Sequence, residues 1–347
     1  MHESPAEDGA DYLLNSPNIL FVSLGLKTPA WHRMIFYRKI LKGKLHVLTN
    51  IDFFIVRSPS PLSPFINKFV PAKKIVYMIV GDYLDGARQI KFNSIRSSMI
   101  ILLLRINDSL FRAQMKKSLV LVNSPALFEK YQKLSKFIGL IKTTTLSTKD
   151  FFYREDTCAS SEIRLLFTGR FDPAKGLFEL VQSIKELSIS GKTFQLDFVG
   201  WETDKAEPVK AELQKLGKHL GLQQFLHFHP KMSVGEELNA MYRKADIYLI
   251  PSYHEGFPRT IWEAMANSCP VIATSVGSIP FVLTDKEQAI LIQPKNVNEI
   301  VDAIKLVVED TNLRRKIIQN GFVLAQSNTL ETQTAHLLTN IYSIGEN

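Results

Sequence analysis

The stretch that most constrains this chain is residues 246–282, DIYLIPSYHEGFPRTIWEAMANSCPVIATSVGSIPFV. An apolar strand, Ile247 to Ile250, is stopped by Pro251. A polar loop, Ser252 to Phe257, leads into a helix that can carry Pro258 in its first turn, where a missing N–H does no harm. Glu255 lies in the loop and Glu263 stands about two helical turns further on. A second apolar strand, Val271 to Ala273, runs into a small-residue loop at Gly277 and Ser278. Strand, loop, helix, strand and glycine loop make half of a nucleotide-binding α/β unit, whose ligands bind at the carboxyl ends of the strands.

Such an arrangement suits a nucleotide diphosphate carrying a sugar. Backbone amides and the positive dipole end of a helix favour a phosphate. Gly256 removes a Cβ where a ligand could approach. One carboxylate in a loop can accept from sugar hydroxyls, and one on a helix can bind a ribose diol. An isolated pair of this kind is also what two solvated charges look like. The apolar strands on either side weigh for the site.

Upstream, Ile163 to Gly169 reads as a strand. Gly169-Arg170 and then FDPAKG, ending in Lys175-Gly176, separate it from an amphipathic helix bearing Leu177, Leu180, Val181, Ile184 and Leu187. Two cations on a loop at a strand's end can neutralise a diphosphate, Arg as a planar fork and Lys as a point charge. Further strands are expected at 195–200, 226–228 and 289–292. A helix is expected over 234–244 with Ser233 and Glu236 as a capping box, and others near 205–219, 297–309, 311–326 and 330–343. His229, beside Pro230, reads as positional.

At 347 residues the chain exceeds one ordinary core and fits two domains. Charge divides them. Residues 1–150 hold 22 Lys+Arg against 10 Asp+Glu, or +12, which leaves −4 of the net +8 for the remainder. A basic half suggests an anionic partner: phospholipid headgroups, a lipid-linked phosphate acceptor or nucleic acid. Strands are expected at 18–24, 53–56, 74–80 and 119–122, and a helix over 125–136. The aromatic, basic segment 31–48 reads as a helix on a sheet or on a membrane surface. In 94–112 the stripe Met99, Leu102, Leu103, Ile106, Leu110 is most simply core. Asp82, after the strand ending near Val80, could orient or deprotonate an acceptor hydroxyl, or cap a turn. His32 and His46 stand alone and read as structural. Residues 147–161 lose apolar rhythm, and the domain linker is expected there.

The first seventeen residues are acidic and polar, so no signal peptide is expected. The longest apolar run, Met99 to Leu104, falls far short of the ~20 residues of a membrane span. Cys158 and Cys269 are far apart and ask for no disulfide, which fits a reducing compartment. No G-x-G-x-x-G follows a strand and no G-x4-G-K-[ST] occurs, which argues against a dinucleotide oxidoreductase and a P-loop NTPase. D-x-D spacing and His/Cys clusters are missing as well, so no metal is expected.

Glu255-Gly256-Phe257 with Glu263, then PVIATSVGSIP and the upstream LLFTGRFDPAKG, resembles the E-x7-E pattern of the group-one retaining glycosyltransferases. The likeness runs from about 165 to Gly321 and is weak in the first half. It implies the GT-B fold, two facing Rossmann-like α/β domains with parallel sheets and a cleft between them. The expected division is a polar tail 1–17, an acceptor-side domain 18–150, a nucleotide-sugar domain 151–328 and a helix 329–347 crossing back. The likeness also implies metal-independent transfer of a sugar from a UDP- or GDP-sugar to a hydroxyl, with retention. The acceptor would be a saccharide or lipid-linked, in cell-surface polysaccharide or glycolipid synthesis. Nucleotide-sugar is then a substrate, and no cofactor and no nucleic-acid partner are expected. The location is expected to be cytoplasmic, with an anionic membrane surface as a candidate partner. Carried over, Arg170 and Lys175, framed by Gly169 and Gly176, hold the diphosphate with the helix dipole and the backbone amides near Phe257–Arg259, in the donor-binding loop of Gly256, Phe257 and Pro258. Glu263 holds the ribose and Glu255 the sugar, while Gly277 lets the loop at Ser278 approach. Arg259-Thr260 departs from the family's commoner small or apolar residues, and Gly81-Asp82 stands where the family often has a His. A sugar-nucleotide epimerase of the same architecture and a non-catalytic binder of nucleotide-sugars or membrane surfaces are the alternatives.

Overall fold

A computed structural model describes residues 2–3, 25–26, 29–45, 52–70, 74–81, 95–189, 191–202 and 208–343. The strand expected over 18–24, His46 and Asp82 lie outside these residues. The chain divides into two compact units, residues 1–142 with 335–347, and residues 143–334. The expected borders were 150/151 and 328/329. Residues 147–161, expected as linker, are tied to the second unit by hydrogen bonds that leave no trace in hydrophobic periodicity. The Phe152 amide donates to the Ala266 carbonyl (2.9 Å), and the Arg154 guanidinium donates to the carbonyls of Tyr242, Arg243 and Ala245.

Among the described residues the first unit contains a four-stranded parallel sheet in sequence order: β1 (Phe53–Ser58), β2 (Lys74–Ile79), β3 (Leu119–Val122) and β4 (Phe137–Leu140). The continuous apolar runs of β2 and β3 suit strands covered on both faces. The edge strand β4 was not expected. It is four residues long and includes Gly139, where a Cβ would meet Leu121 and Asn340 at 2.9 Å. The basic segment forms two helices, α1 (Ala30–Ile35) and α2 (Tyr37–Leu45), broken at Phe36.

Helix α3 (Ile95–Met115) corrects an expectation. Its inward side is Ile101, Asn107, Asp108, Phe111 and Met115, whereas Met99, Leu102, Ile106 and Leu110 are exposed. Twenty-one residues carry two apolar stripes, and the fold buries only one of them. Asn107 favours the buried stripe by donating to the Pro61 carbonyl (3.0 Å), and Asp108 by pairing with Arg112 (2.6 Å). Helix α4 (Pro125–Tyr131) starts where Ser124 accepts from the Leu127 amide (3.3 Å).

The second unit contains a six-stranded parallel sheet: β5 (Glu162–Phe171), β6 (Thr193–Glu202), β7 (Leu226–His229), β8 (Ile247–Ile250), β9 (Val271–Thr274) and β10 (Ile290–Ile292). Their order across the sheet is β10-β9-β8-β5-β6-β7. The first and fourth strands of the unit are therefore neighbours, and the direction of winding reverses between them. In open α/β sheets that reversal is where ligands bind, outside the carboxyl ends of the strands.

Helices α5 (Leu177–Glu186), α6 (Val209–His219), α7 (Glu236–Lys244), α8 (Arg259–Ala266), α9 (Ile279–Val282), α10 (Val297–Glu309) and α11 (Thr311–Gln326) connect or cover the strands, and most of α12 (Leu330–Ser343) belongs to the first unit. Two apolar clusters contain this unit's core, one including Leu165, Leu196, Leu249, Leu180 and Ile304, the other Leu166, Tyr248, Ala273, Ile261 and Trp262. The capping box expected at Ser233 is not formed. Gly235, at a φ of 132°, occupies the N-cap of α7, and α7 begins at Glu236. Asn296 and Asp310 cap α10 and α11 through side-chain acceptors.

Candidate active site

Three loops leave the carboxyl ends of β5, β8 and β9 and meet at the reversal point. In the first, Asp172 accepts from the Ala174 amide (2.9 Å) and folds Pro173–Lys175 into a single 3-10 turn. Gly176 follows at φ 68° and starts α5. A Cβ at 176 would lie 2.2 Å from the Pro251 carbonyl oxygen, so glycine is required for both conformation and space. The second loop is joined to the first by the Tyr253 amide donating to the Ala174 carbonyl (2.8 Å). The third is joined to the second by the Ser278 amide donating to the Gly256 carbonyl (2.9 Å).

This scaffold brings the Lys175 ammonium against Glu255. The ammonium donates to Oε1 as an ion pair, and the two side chains are 17% and 11% exposed. Gly277 is required by the backbone of the loop beside it. At φ 57°, a Cβ there would lie 1.8 Å from the Glu255 carbonyl oxygen, so it admits the neighbouring loop's own backbone. At Gly256 a Cβ would meet nothing within 4 Å, so this glycine is not required by packing and leaves open space beside Glu255. Phe257 stacks on Trp262 with ring centroids 4.6 Å apart. Pro258 is the N-cap of α8, one place before the first helical position.

Arg170 is exposed, near the end of β5. Its register partner on β6 is Trp201, also exposed, with the Lys231 ammonium 5.2 Å from the indole centroid. Gly200 lets these strands meet closely, since a Cβ there would lie 1.8 Å from the carbonyl oxygen of its partner Gly169.

Glu263 is only 4% exposed, within a group of hydroxyls beneath the loops. Thr145 donates to one carboxylate oxygen (2.6 Å) and Tyr242 to the other (2.9 Å). The Tyr242 hydroxyl also lies 2.7 Å from Thr168 Oγ1, and Thr168 lies 3.2 Å from the Tyr248 hydroxyl. Burial raises both tyrosines well above the usual phenol range, and the neighbouring Glu263 charge adds to this. Sequence reading missed Thr145, Thr168, Tyr242 and Tyr248. Their only signal was a hydroxyl at a position where the apolar pattern asked for a hydrocarbon.

The expected residues thus fall into four groups: Lys175, Gly176, Glu255, Gly256, Gly277 and Ser278 on the joined loops, Phe257 and Pro258 at the start of α8, Gly169 and Arg170 along β5, and Glu263 buried among hydroxyls. His229 pairs with Asp197 (2.7 Å) across β6 and β7. Among the described residues no group of three or more His, Cys, Asp or Glu is placed to hold a metal ion.

The Lys175–Glu255 pair thus stands at the reversal point of a parallel sheet, where open α/β sheets bind their ligands. The family model for glycosyl transferases group 1 matches residues 150–323, half of the chain. This chain belongs to the group 1 glycosyltransferases. A Bacillus subtilis glycosyltransferase named for teichuronic acid biosynthesis is 33% identical over 202 residues, 56% of this chain and 47% of that one. An MMP alpha-(1->4)-mannosyltransferase of Mycolicibacterium hassiacum is 31% identical over 150 residues, covering 43% and 35%. The chain therefore spans less than half the length of these relatives. Among solved structures, sucrose-phosphate synthase from Thermosynechococcus elongatus superposes with a TM-score of 0.73 at 21% identity, covering 99% of this chain and 88% of that one. The fold is GT-B.

Proposed function

We propose that this glycosyltransferase moves a hexose from a UDP- or GDP-sugar to a hydroxyl of a saccharide or lipid-linked acceptor, with retention and without a metal ion. The observation that carries the reading is the Lys175–Glu255 pair, set where α/β sheets bind nucleotides. Lys175 and Arg170 neutralise the diphosphate, helped by the amides and dipole at the start of α8. Charge grows on the diphosphate as its bond to the anomeric carbon breaks, and fixed donors aimed at that charge supply most of the acceleration. The acceptor oxygen attacks the same face, and its proton passes to the departing phosphate oxygen, so no protein nucleophile is needed. Glu255 holds the sugar's hydroxyls, released from Lys175 as the diphosphate takes over that cation. Glu263 takes the ribose diol by exchanging one of its present hydroxyl partners.

Both cysteines are free and buried, which supports a reducing, cytoplasmic setting. The pathway for which the Bacillus subtilis relative is named supports an acceptor of the surface-polysaccharide kind. Incubation with a panel of nucleotide-sugars tests the reading. Release of nucleoside diphosphate, lost in Lys175→Ala and in Glu263→Ala, is expected. Binding without turnover across the panel contradicts it and favours a binder. Interconversion of donor sugars favours an epimerase.

A further inference from the structure

We propose that the exposed apolar face of α1 and α3 docks on the surface of a membrane containing anionic phospholipid. This goes beyond the sugar-transfer reading and stands on residues of the first unit alone.

Helix α3 buries one apolar stripe in the unit's core and presents the other outward. Met99 and Leu102 are each 57% exposed, and Ile106 and Leu110 are 47% and 43% exposed. These positions follow a helical repeat, so they form one continuous strip. Helix α1 packs beside α3 and adds Trp31, Ile35 and Phe36, all exposed. Between the two helices runs a groove of about 260 Å³ lined by Trp31, Met34, Ile100, Leu103 and Leu104. Scattered exposed apolar residues need no explanation, but a contiguous patch of this kind marks an interaction site.

Charge selects the occupant. Residues 29–45 include Arg33, Arg38, Lys39, Lys42 and Lys44 and no acidic residue. Residues 95–118 include Arg96, Arg105, Arg112, Lys116 and Lys117 with Asp108 alone, and that carboxylate is buried and paired with Arg112. Arg38, Lys39, Arg105, Lys116 and Lys117 are exposed. An apolar strip bordered by cations, with Trp and Phe among its members, matches a helix lying in the headgroup region with its apolar side about 5–10 Å deep. Among the described residues no helix is long and apolar enough to cross a membrane, so the face rests in the interface and does not span. A protein partner or a second copy would bury the apolar strip equally well. Neither accounts for a border of one sign as directly as an anionic lipid surface does.

Flotation with phosphatidylcholine vesicles, with and without phosphatidylglycerol, tests the proposal. The full chain is expected to float with the anionic vesicles only and to be released by high salt, which screens surface charge. Arg105→Gln and Lys117→Gln should each weaken the association about fivefold. Leu102→Glu with Ile106→Glu should abolish it while the melting temperature and donor turnover in solution stay unchanged. Loss of turnover in that variant would count against the docking assignment, and loss of flotation alone leaves the sugar-transfer reading intact. Equal flotation with neutral vesicles, or unaltered flotation of the double variant, overturns the proposal. A concentration-dependent dimer that the double variant loses, without lipid binding in the parent, also overturns it and makes the face a self-association surface.

Discussion

Lys175 and Glu255, eighty residues apart in sequence, form an ion pair joining the loop after the first strand of the second unit to the loop after the fourth. The pair spans the point where the winding of the sheet reverses, and both side chains are mostly shielded from solvent. It ties the two loops together, and on the proposed reading it supplies the cation for an incoming diphosphate.

A double-substitution cycle separates those two roles. Lys175→Met alone leaves a shielded carboxylate unpaired and should cost about 1–3 kcal/mol, between the values for exposed and buried pairs. Lys175→Met with Glu255→Gln should recover most of that stability, because neither charge is then stranded. Transfer should remain absent in both, measured as nucleoside diphosphate release beside the denaturation midpoint.

Two glycines in the same group should respond in opposite ways. Gly277→Ala forces an L-residue into left-handed backbone and drives its Cβ onto the Glu255 carbonyl. A loss of about 2 kcal/mol or more is expected, lowering Tm by about 4–8 °C for a unit of this size. Gly256→Ala has open space and should leave Tm within about 1 °C while weakening donor binding. Thermal melts with and without donor distinguish the two.

The Glu263 group yields a third expectation. Tyr242→Phe removes the hydroxyl shared by Glu263 and Thr168 and should cost about 1–3 kcal/mol, since it leaves buried acceptors short of a donor. Thr145→Val removes the hydroxyl that donates to the other Glu263 oxygen and should cost a similar amount. If Glu263 takes the ribose, both variants should raise KM for the donor more than they lower kcat.

Acid stability should depend on Asp156. Burial opposes its ionisation, but hydrogen bonds from Arg314, the Thr157 amide and Arg315 outweigh that and hold the carboxyl below its ordinary 3.8. Arg314, itself 4% exposed, also donates to the carbonyls of Val307 and Val308 at the end of α10. A folded-state pKa below the unfolded one contributes stability that is complete above about pH 4 and is lost as pH falls through the folded value. Asp156→Asn should therefore lose stability at neutral pH and show a flatter acid limb in urea denaturation followed from pH 7 down to about pH 3.

Much of the second unit was legible because its strands are unbroken apolar runs bounded by glycine and proline. Ile247–Ile250 falls where the sequence places it, as Leu119–Val122 does in the first unit. The pairing of Lys175 with Glu255 was not legible, since chain spacing says nothing about which loops become neighbours until strand order is known. Glu263 reads from sequence as a ligand-facing carboxylate, and only the packing reveals the hydroxyls around it. On α3 both stripes have helical spacing, and the choice between them rests on Asn107 and Asp108, polar residues that find partners inside. Strand β4 is short and carries Gly139, so its pattern alone could not distinguish it from a loop.

On the proposed reading, Lys175 holds a diphosphate at the reversal point of the second sheet without a metal. Calorimetric titration of UDP and GDP into the parent chain and Lys175→Met, with EDTA throughout, tests it most directly. One nucleotide should bind the parent chain in EDTA, and Lys175→Met should weaken it by tenfold or more, the loss of a charge-assisted hydrogen bond of about 1.5–3 kcal/mol. Binding that requires a restored divalent ion, or that survives undiminished in Lys175→Met, would contradict it.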